Sequence, residues 1–278
     1  MKIIEKIKDL KQEIKSQRNQ GKTIGFVPTM GALHEGHLYL VDCAAQENDI
    51  VIVSVFVNPI QFNNPEDLKK YPRNLEKDSE LLSRHNTDYI FAPDSYEMYP
   101  EQVTKTYDFG NLDKVMEGKF RPGHFNGVAV VVHRLFDIVE PDKAYFGEKD
   151  FQQLTVIRQL VKQENIPVEI IGCKIIREEN GLAMSSRNQR LSPDLREKAS
   201  LIHKTLKKAV EKSKNQTVLQ VKRFVEERLK ELNINMEYFE IVDSDTLQSI
   251  KDWQESQNPR GCIAAYIGDV RLIDNIAF

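Results

Sequence analysis

The sequence predicts an open parallel α/β sheet followed by a smaller α+β domain. Three features lead there. Short apolar strands alternate with amphipathic helices of about 10 to 15 residues as far as residue 176, the pattern of parallel strands joined by helical crossovers. Two long charged helices and three turn-separated strands then follow. The strand ends of the first part open into loops rich in Gly, His, Asn and Lys, where an open α/β sheet places its ligands.

Taken in order, Ile3, Ile7, Leu10 and Ile14 recur at helical spacing and Gly21 acts as a stop, so residues 1–20 read as an amphipathic helix. Thr23 to Val27 is a short β-branched strand ended by Pro28, and residues 33–47 have helix-forming composition. Ile50 to Val57 is a continuous apolar run suited to a strand buried on both faces. A helix over 74–84 and a strand over 88–92 continue the alternation. A helical stripe at Val128, Val132, Leu135, Phe136 and Val139 follows, then a strand at 144–146, a helix at 151–163 and a strand at 168–173. Ser192-Pro193 opens a helix over 194–214 and a second runs over 218–232. Strands at 236–242, 261–267 and 270–276 complete the chain, with Gly268-Asp269 as a two-residue hairpin turn. The reading divides the chain into an α/β part, residues 1–176, and a smaller α+β part, residues 177–278.

The chain has 278 residues, enough for a substantial core, with 40% hydrophobic and 29% charged residues, which excludes disordered and disulfide-scaffold classes. Its 39 Lys+Arg against 42 Asp+Glu leave no basic field for a nucleic-acid backbone, and glutamates interrupt the Lys-rich helices. Cys43, Cys173 and Cys262 lie far apart without a C-x-x-C pair and read as buried reduced thiols. The N-terminal residues lack the apolar run of a signal peptide, and no stretch suits a membrane span, so the expected location is cytoplasmic, with no membrane or nucleic-acid partner.

The densest chemistry lies at Pro28-Thr29-Met30-Gly31-Ala32-Leu33-His34-Glu35-Gly36-His37. A helix N-terminus offers amide donors and a positive dipole end, and glycines let a phosphate approach closely. His34 and His37, three apart, are expected on one helix face, both donating to one polyphosphate; a plain capping pair is the structural alternative, and a metal site lacks a third ligand. Gln61, after Asn58-Pro59, has donor and acceptors for a hydroxyl or carboxylate, although a loop Gln often only meets water. Gly147 is expected to free a turn, Lys149 to place charge near an anion, and Asp150 to cap the next helix. Ser185, Ser186 and Arg187 put two hydroxyls beside a guanidinium that could neutralise a leaving pyrophosphate, or form an ordinary surface turn. Arg121-Pro122-Gly123-His124 is a further cationic loop, and Trp253 reads as a packing residue.

Together these motifs resemble the pantoate–β-alanine ligase family, Rossmann-like enzymes of the H-x-G-H nucleotidyltransferase type. The likeness rests on P-T-M-G-A-L-H-E-G-H at 28–37, N-P-x-Q-F at 58–62, Y-P-R at 71–73 and G-H-F-x-G-V at 123–128. It continues with F-G-E-K-D-x-Q-Q-L at 146–154, G-L-A-M-S-S-R-N at 181–188 and R-L-I-D-N at 271–275. The resemblance implies condensation of pantoate with β-alanine, using ATP and Mg²⁺, through an enzyme-bound pantoyl adenylate, in a homodimer. It implies that Met30, Gly31, Ala32, Leu33, His34, Glu35, Gly36 and His37 bind ATP together with Gly147, Glu148, Lys149, Asp150, Ile176, Met184, Ser185, Ser186 and Arg187. His37, His34, Lys149, Ser185, Ser186 and Arg187 would act in catalysis, Gln61 and Gln153 would hold pantoate, and Tyr71 and Arg121 would lie at the rim. Val130 and Tyr266 depart from residues common in the family. An adenylyl- or cytidylyltransferase acting on a phosphorylated acceptor is the competing reading, distinguished by its indifference to β-alanine.

Overall fold

The computed structural model describes residues 1–62 and 65–278. In chain order the elements are β1 (Lys2–Ile4), α1 (Ile7–Arg18), β2 (Ile24–Thr29), α2 (Glu35–Glu47), β3 (Ile50–Val55), α3 (Pro65–Lys70), α4 (Leu75–Leu82), β4 (Tyr89–Phe91), α5 (Ser95–Met98), α6 (Met116–Phe120), α7 (His124–Val139), β5 (Lys143–Gly147), α8 (Phe151–Glu164), β6 (Glu169–Cys173), α9 (Pro193–Ser213), α10 (Val218–Glu231), β7 (Asn235–Asp243), β8 (Pro259–Ile267) and β9 (Val270–Ala277). They form two compact units. The first comprises Met1–Phe109, Arg121–Glu148 and Val156–Lys174; the second comprises Gly110–Phe120, Lys149–Thr155 and Ile175–Phe278.

The first unit is built on a six-stranded sheet in the order β1-β4-β3-β2-β5-β6, parallel throughout. Ile24, Phe26, Ile52 and Val53 are wholly buried at its centre, as their unbroken apolar runs require for strands covered on both faces. Leu38, Val41 and Ala44 of α2 pack on this sheet, and α7 is buried along most of its length. The strand starts are tied by aspartates: Asp142 accepts from the Ile24 amide at 2.6 Å, and Asp88 from the Val51 amide at 2.8 Å.

Two details differ from the sequence pattern. Ile3 is not on the first helix but in β1, where period two applies: Ile3 is exposed and Ile4 buried. Three residues are too few to display that alternation against a helical stripe. Pro28 does not end its strand either. It pairs with Ser54 of β3, while β5 reaches only Gly25 and Phe26, so the amide that proline lacks has no ladder partner to lose.

In the second unit β7, β8 and β9 form an antiparallel sheet, with Gly268 in the left-handed conformation between β8 and β9. The apolar stripes of α9 and α10 (Ile202, Leu206, Val221, Val225, Leu229) and the strand residues Phe239, Ile241, Ile263 and Leu272 make its core. Ser192 caps α9, and Thr217 with Gln220 forms a capping box on α10. Trp253 packs on this core and donates to the Gln216 carbonyl at 2.8 Å. Among the described residues no helix is long and apolar enough to cross a membrane.

All three cysteines carry free thiols. Burial pushes the Cys173 thiol up to about 12, and that of Cys262 likewise to about 12. Cys43 is half-buried on α2. At pH 8, iodoacetamide should therefore modify Cys43 well ahead of the other two in the native protein and all three in denaturant. Peptide mapping checks this, and equal native labelling at all three would contradict the packing.

Candidate active site

In the first unit the functional loop begins where β2 ends. The Thr29 hydroxyl donates to the Ser54 carbonyl (2.7 Å) and accepts from the Gly31 amide (3.1 Å), turning the chain sharply. Gly31 is left-handed (φ +78), and a Cβ there would stand 2.8 Å from an oxygen of Asp78, so only glycine fits. Ala32 is also left-handed (φ +51), a conformation that a side-chain-bearing residue adopts only under restraint. The restraint is Asp78 on α4, which accepts from the Ala32 amide at 3.0 Å and the Leu33 amide at 2.8 Å while itself only 2% exposed.

His34 is the N-cap of α2, in extended conformation, and its Nδ1 accepts from the Gly36 amide at 3.1 Å. A ring nitrogen that accepts carries no proton, so neutral His34 bears its hydrogen on Nε2. His34 therefore lies just outside the helix, rather than on one helix face with His37. The capping turn nevertheless brings the two rings together, centroids 4.0 Å apart and tilted by 34°. The amides of Gly31, Ala32, Leu33 and Gly36 already serve Thr29, Asp78 and His34. What this loop offers an anion is consequently the positive end of α2 and its imidazoles, more than a row of amides.

Gln61 is buried, 8% exposed, and not a solvated loop residue. Its amide donates to the Met30 sulfur at 3.1 Å and its Oε1 accepts from Asn58 at 3.1 Å. Asn58 also donates to the Gly127 carbonyl (3.1 Å) and accepts from the Tyr99 hydroxyl (3.0 Å). His124, at the start of α7, bonds the Gln61 carbonyl at 3.0 Å. Gly127 packs so closely that a Cβ would lie 2.7 Å from the Gln61 Cα and 2.8 Å from the Ile60 carbonyl. The G-H-F-x-G-V motif is thus the mould for the Gln61 turn. Beside this loop, at the carboxyl ends of β2, β3 and β4, a cavity of about 500 Å³ is lined by Met30, Gly31, Phe56, Arg73 and Asp78 among others; His37 and Gln61 are not in its wall.

Gly147, the last residue of β5, has no left-handed φ, and a Cβ there would meet nothing within 4 Å. It does not free a turn, as its sequence context suggested; it leaves open space at a strand end. Glu148 to Asp150 form a 3-10 turn leading into α8. In the second unit, the Lys149 ammonium lies 3.9 Å from Asp150. The two glutamines that follow differ in role. Gln152, 5% exposed, bonds the carbonyls of Leu112 and Val115 and the amide of Glu117 at 2.8, 2.9 and 3.0 Å. Gln153 is half-buried and has no hydrogen-bond partner among the described residues.

The segment from 176 to 184 folds back on itself: the Met184 amide bonds the Ile176 carbonyl (2.9 Å), and Arg177 bridges to Ala183. Ile176 and Met184 thereby stand side by side. The Ser185 hydroxyl accepts from the Arg187 amide at 3.2 Å, which leaves its own proton to donate, and a 3-10 turn runs from Ser186 to Arg190. Asn188, 2% exposed, braces the turn through Glu178 (2.8 Å) and the Ala183 carbonyl (3.0 Å).

Sequence reasoning missed Asp78, His124, Asn58 and Asn188, whose work is to hold main chain. No local signal marks Asp78, whereas His124 and Asn58 sat inside quoted motifs without an assigned role.

A parallel α/β sheet with a histidine-capped crossover after its first central strand, and an antiparallel unit bearing a Ser-Ser-Arg turn, define a Rossmann-like α/β protein with a smaller antiparallel domain. The family model described as pantoate-beta-alanine ligase matches residues 2–277, and the chain belongs to that family. It is 53% identical over 280 residues to the pantothenate synthetase of Phocaeicola vulgatus, covering 100% of this chain and 99% of that one. It is 49% identical over 280 residues to that of Christiangramia forsetii, again covering 100% and 99%. The crystal structure of the pantoate-β-alanine enzyme from Thermus thermophilus superposes with a TM-score of 0.93 at 44% identity, covering 99% of each chain. The pantoate-β-alanine ligase of Francisella tularensis, complexed with β-γ ATP and β-alanine, gives 0.82 at 37% identity, covering 100% and 97%.

Replacing Asp78 by Ala would strand two loop amides while releasing the left-handed Ala32 that it restrains. Asp78→Ala should lower the unfolding free energy by about 2–4 kcal/mol in urea denaturation: two hydrogen bonds to a charged acceptor contribute about 1.5–3 kcal/mol each, and the strain of a left-handed alanine, about 1–2 kcal/mol, is released. A loss below about 0.5 kcal/mol would show that the loop holds itself.

Proposed function

We propose that this chain condenses pantoate with β-alanine at the expense of ATP, releasing AMP and pyrophosphate through a pantoyl adenylate. The carrying observation is the family match across residues 2–277, with relatives 53% identical along the whole chain. The Francisella enzyme's complex with β-γ ATP and β-alanine supports the same substrate pair here. A nucleotidyltransferase acting on a phosphorylated acceptor has no such support.

Pantoate's carboxylate attacks the α-phosphorus of ATP in line, and negative charge accumulates on the phosphate oxygens as the pyrophosphate bond breaks. The chain has donors suited to that charge: the His37 imidazole with the His34 ring tilted against it, the Lys149 ammonium, the Ser185 and Ser186 hydroxyls, and the Arg187 guanidinium. Met30 to His37, Gly147 to Asp150, Ile176 and Met184 to Arg187 serve ATP in this reading. Gln61, locked in orientation, and Gln153, whose side chain has no partner among the described residues, hold pantoate. No protein nucleophile is needed, because the amine of β-alanine attacks the adenylate carbonyl and expels AMP.

Mg²⁺ belongs to the same proposal as the ion accompanying the triphosphate. Such ions bind through substrate phosphates and one or two carboxylates, and so need no dedicated protein cage. A homodimer and a cytoplasmic location are also part of it, as is the division into a binding region (1–176) and a lid region (177–278).

Mass spectrometry of products from ATP, Mg²⁺, pantoate and β-alanine, each omitted in turn, tests the reaction. Pantothenate should form only in the full mixture, and nucleotidyl transfer that ignores β-alanine would overturn the assignment. His37→Ala should fold normally yet slow pantoate-dependent ATP–pyrophosphate exchange roughly a hundredfold, the size of effect expected for one well-placed donor. Near-normal exchange would remove His37 from its role.

A further inference from the structure

The R-L-I-D-N segment of β9 has no part in the chemistry above, yet it buries two polar residues: Asp274 is 7% and Asn275 2% exposed. Neighbours on a strand face opposite ways, so the pair can serve two different loops from one rigid element. Asp274 takes the Arg177 guanidinium in a bidentate grip at 2.7 and 2.9 Å, and Arg177 in turn donates to the Gly181 carbonyl at 3.2 Å. That grip closes the fold-back of 176–184 and sets the base from which Ser185, Ser186 and Arg187 project. Asn275 donates to the main-chain carbonyl of Lys149 at 3.0 Å and accepts from Arg260 at 2.6 Å. The Arg260 guanidinium lies over the Phe151 ring, 4.0 Å from its centroid, pinning the same turn from its other end.

We propose that Asp274 and Asn275 are positioning residues for adenylate formation, and that β9 sets the register between the Lys149 turn and the Ser185–Arg187 turn. The inference rests on the assignment of those two turns to ATP. Its physical basis is that Asn275 bonds the Lys149 carbonyl and so fixes the main chain from which the ammonium extends. Buried polar groups are also costly unless satisfied, so a site that satisfies both with loop main chain and the guanidiniums of Arg177 and Arg260 uses them to define geometry that apolar residues would leave loose.

The test is a double-mutant cycle in ATP–pyrophosphate exchange, with pantoate saturating. Asn275→Asp retains the acceptor for Arg260 but sets a carboxylate oxygen against the Lys149 carbonyl. It should lower the exchange kcat at least tenfold, with the melting temperature within a few degrees of the parent. In a Lys149→Ala background, itself slowed at least tenfold, Asn275→Asp should add no more than about a twofold further loss, because its effect passes through Lys149. Exchange by Asn275→Asp within twofold of the parent overturns the inference. So does an equal loss in both backgrounds, which would signal general structural damage. If Asn275→Asp does not accumulate as folded protein, Asn275→Ala goes through the same cycle. Parental exchange by Lys149→Ala alone would fail the assignment of Lys149 itself; a slowed Lys149→Ala beside an unaffected Asn275→Asp fails only the role given to Asn275.

Discussion

The Asp78 carboxylate holds the loop after β2 in a shape that its residues would not choose alone. A left-handed alanine costs about 1–2 kcal/mol, and two amide bonds to a buried anion offset it. The position of everything downstream follows. The turn delivers His34 to the cap of α2, the cap aligns its ring against His37, and the helix axis points its positive end past both. Loss of the carboxylate would leave the histidines in the sequence but not in this arrangement.

The other loops are held by a related device. Asn58, Gln152 and Asn188 are all nearly inaccessible, and each turns its carboxamide onto main chain of a neighbouring segment. A carboxamide both donates and accepts without carrying charge, so it can replace the ladder bonds that irregular backbone lacks while leaving the local field to the cations and imidazoles. Where a charge is buried instead, it is matched: Glu117 meets both Arg271 at 2.9 Å and the Tyr238 hydroxyl at 2.9 Å.

The longer strands and helices were readable because burial imposes a period on apolar residues; the short helices α3, α5 and α6 were not read. Ile50 to Val55 and the stripes of α7, α9 and α10 are long enough for that period to show, whereas three-residue β1 is not. The residues assigned to substrate in the proposed function stood out as motifs, since phosphate and carboxylate chemistry demands particular groups at strand ends. The supporting residues were not. Asp78 reaches its loop across 45 positions, and His124 reaches Gln61 across 63. Nothing in either local stretch encodes the partner. The capping role of His34 was legible only as one of two alternatives, because a histidine three residues before another fits a shared helix face as well as an N-cap. Gly147 misled for a different reason: a glycine at a strand end signals conformational freedom or missing bulk equally well, and here the backbone is ordinary and only the bulk is missing.

The paired glutamines of α8 illustrate a wider point about identical neighbours. Successive residues on a helix diverge by about 100°, so one amide of the pair faces inward and is saturated by carbonyls of the 112–115 stretch, while the next has no side-chain partner among the described residues. Under the proposed function the same chemical group thus serves as mortar at one position and as a tool at the next. Exchanging the two labels in a mutational survey would therefore mistake a folding lesion for a recognition defect.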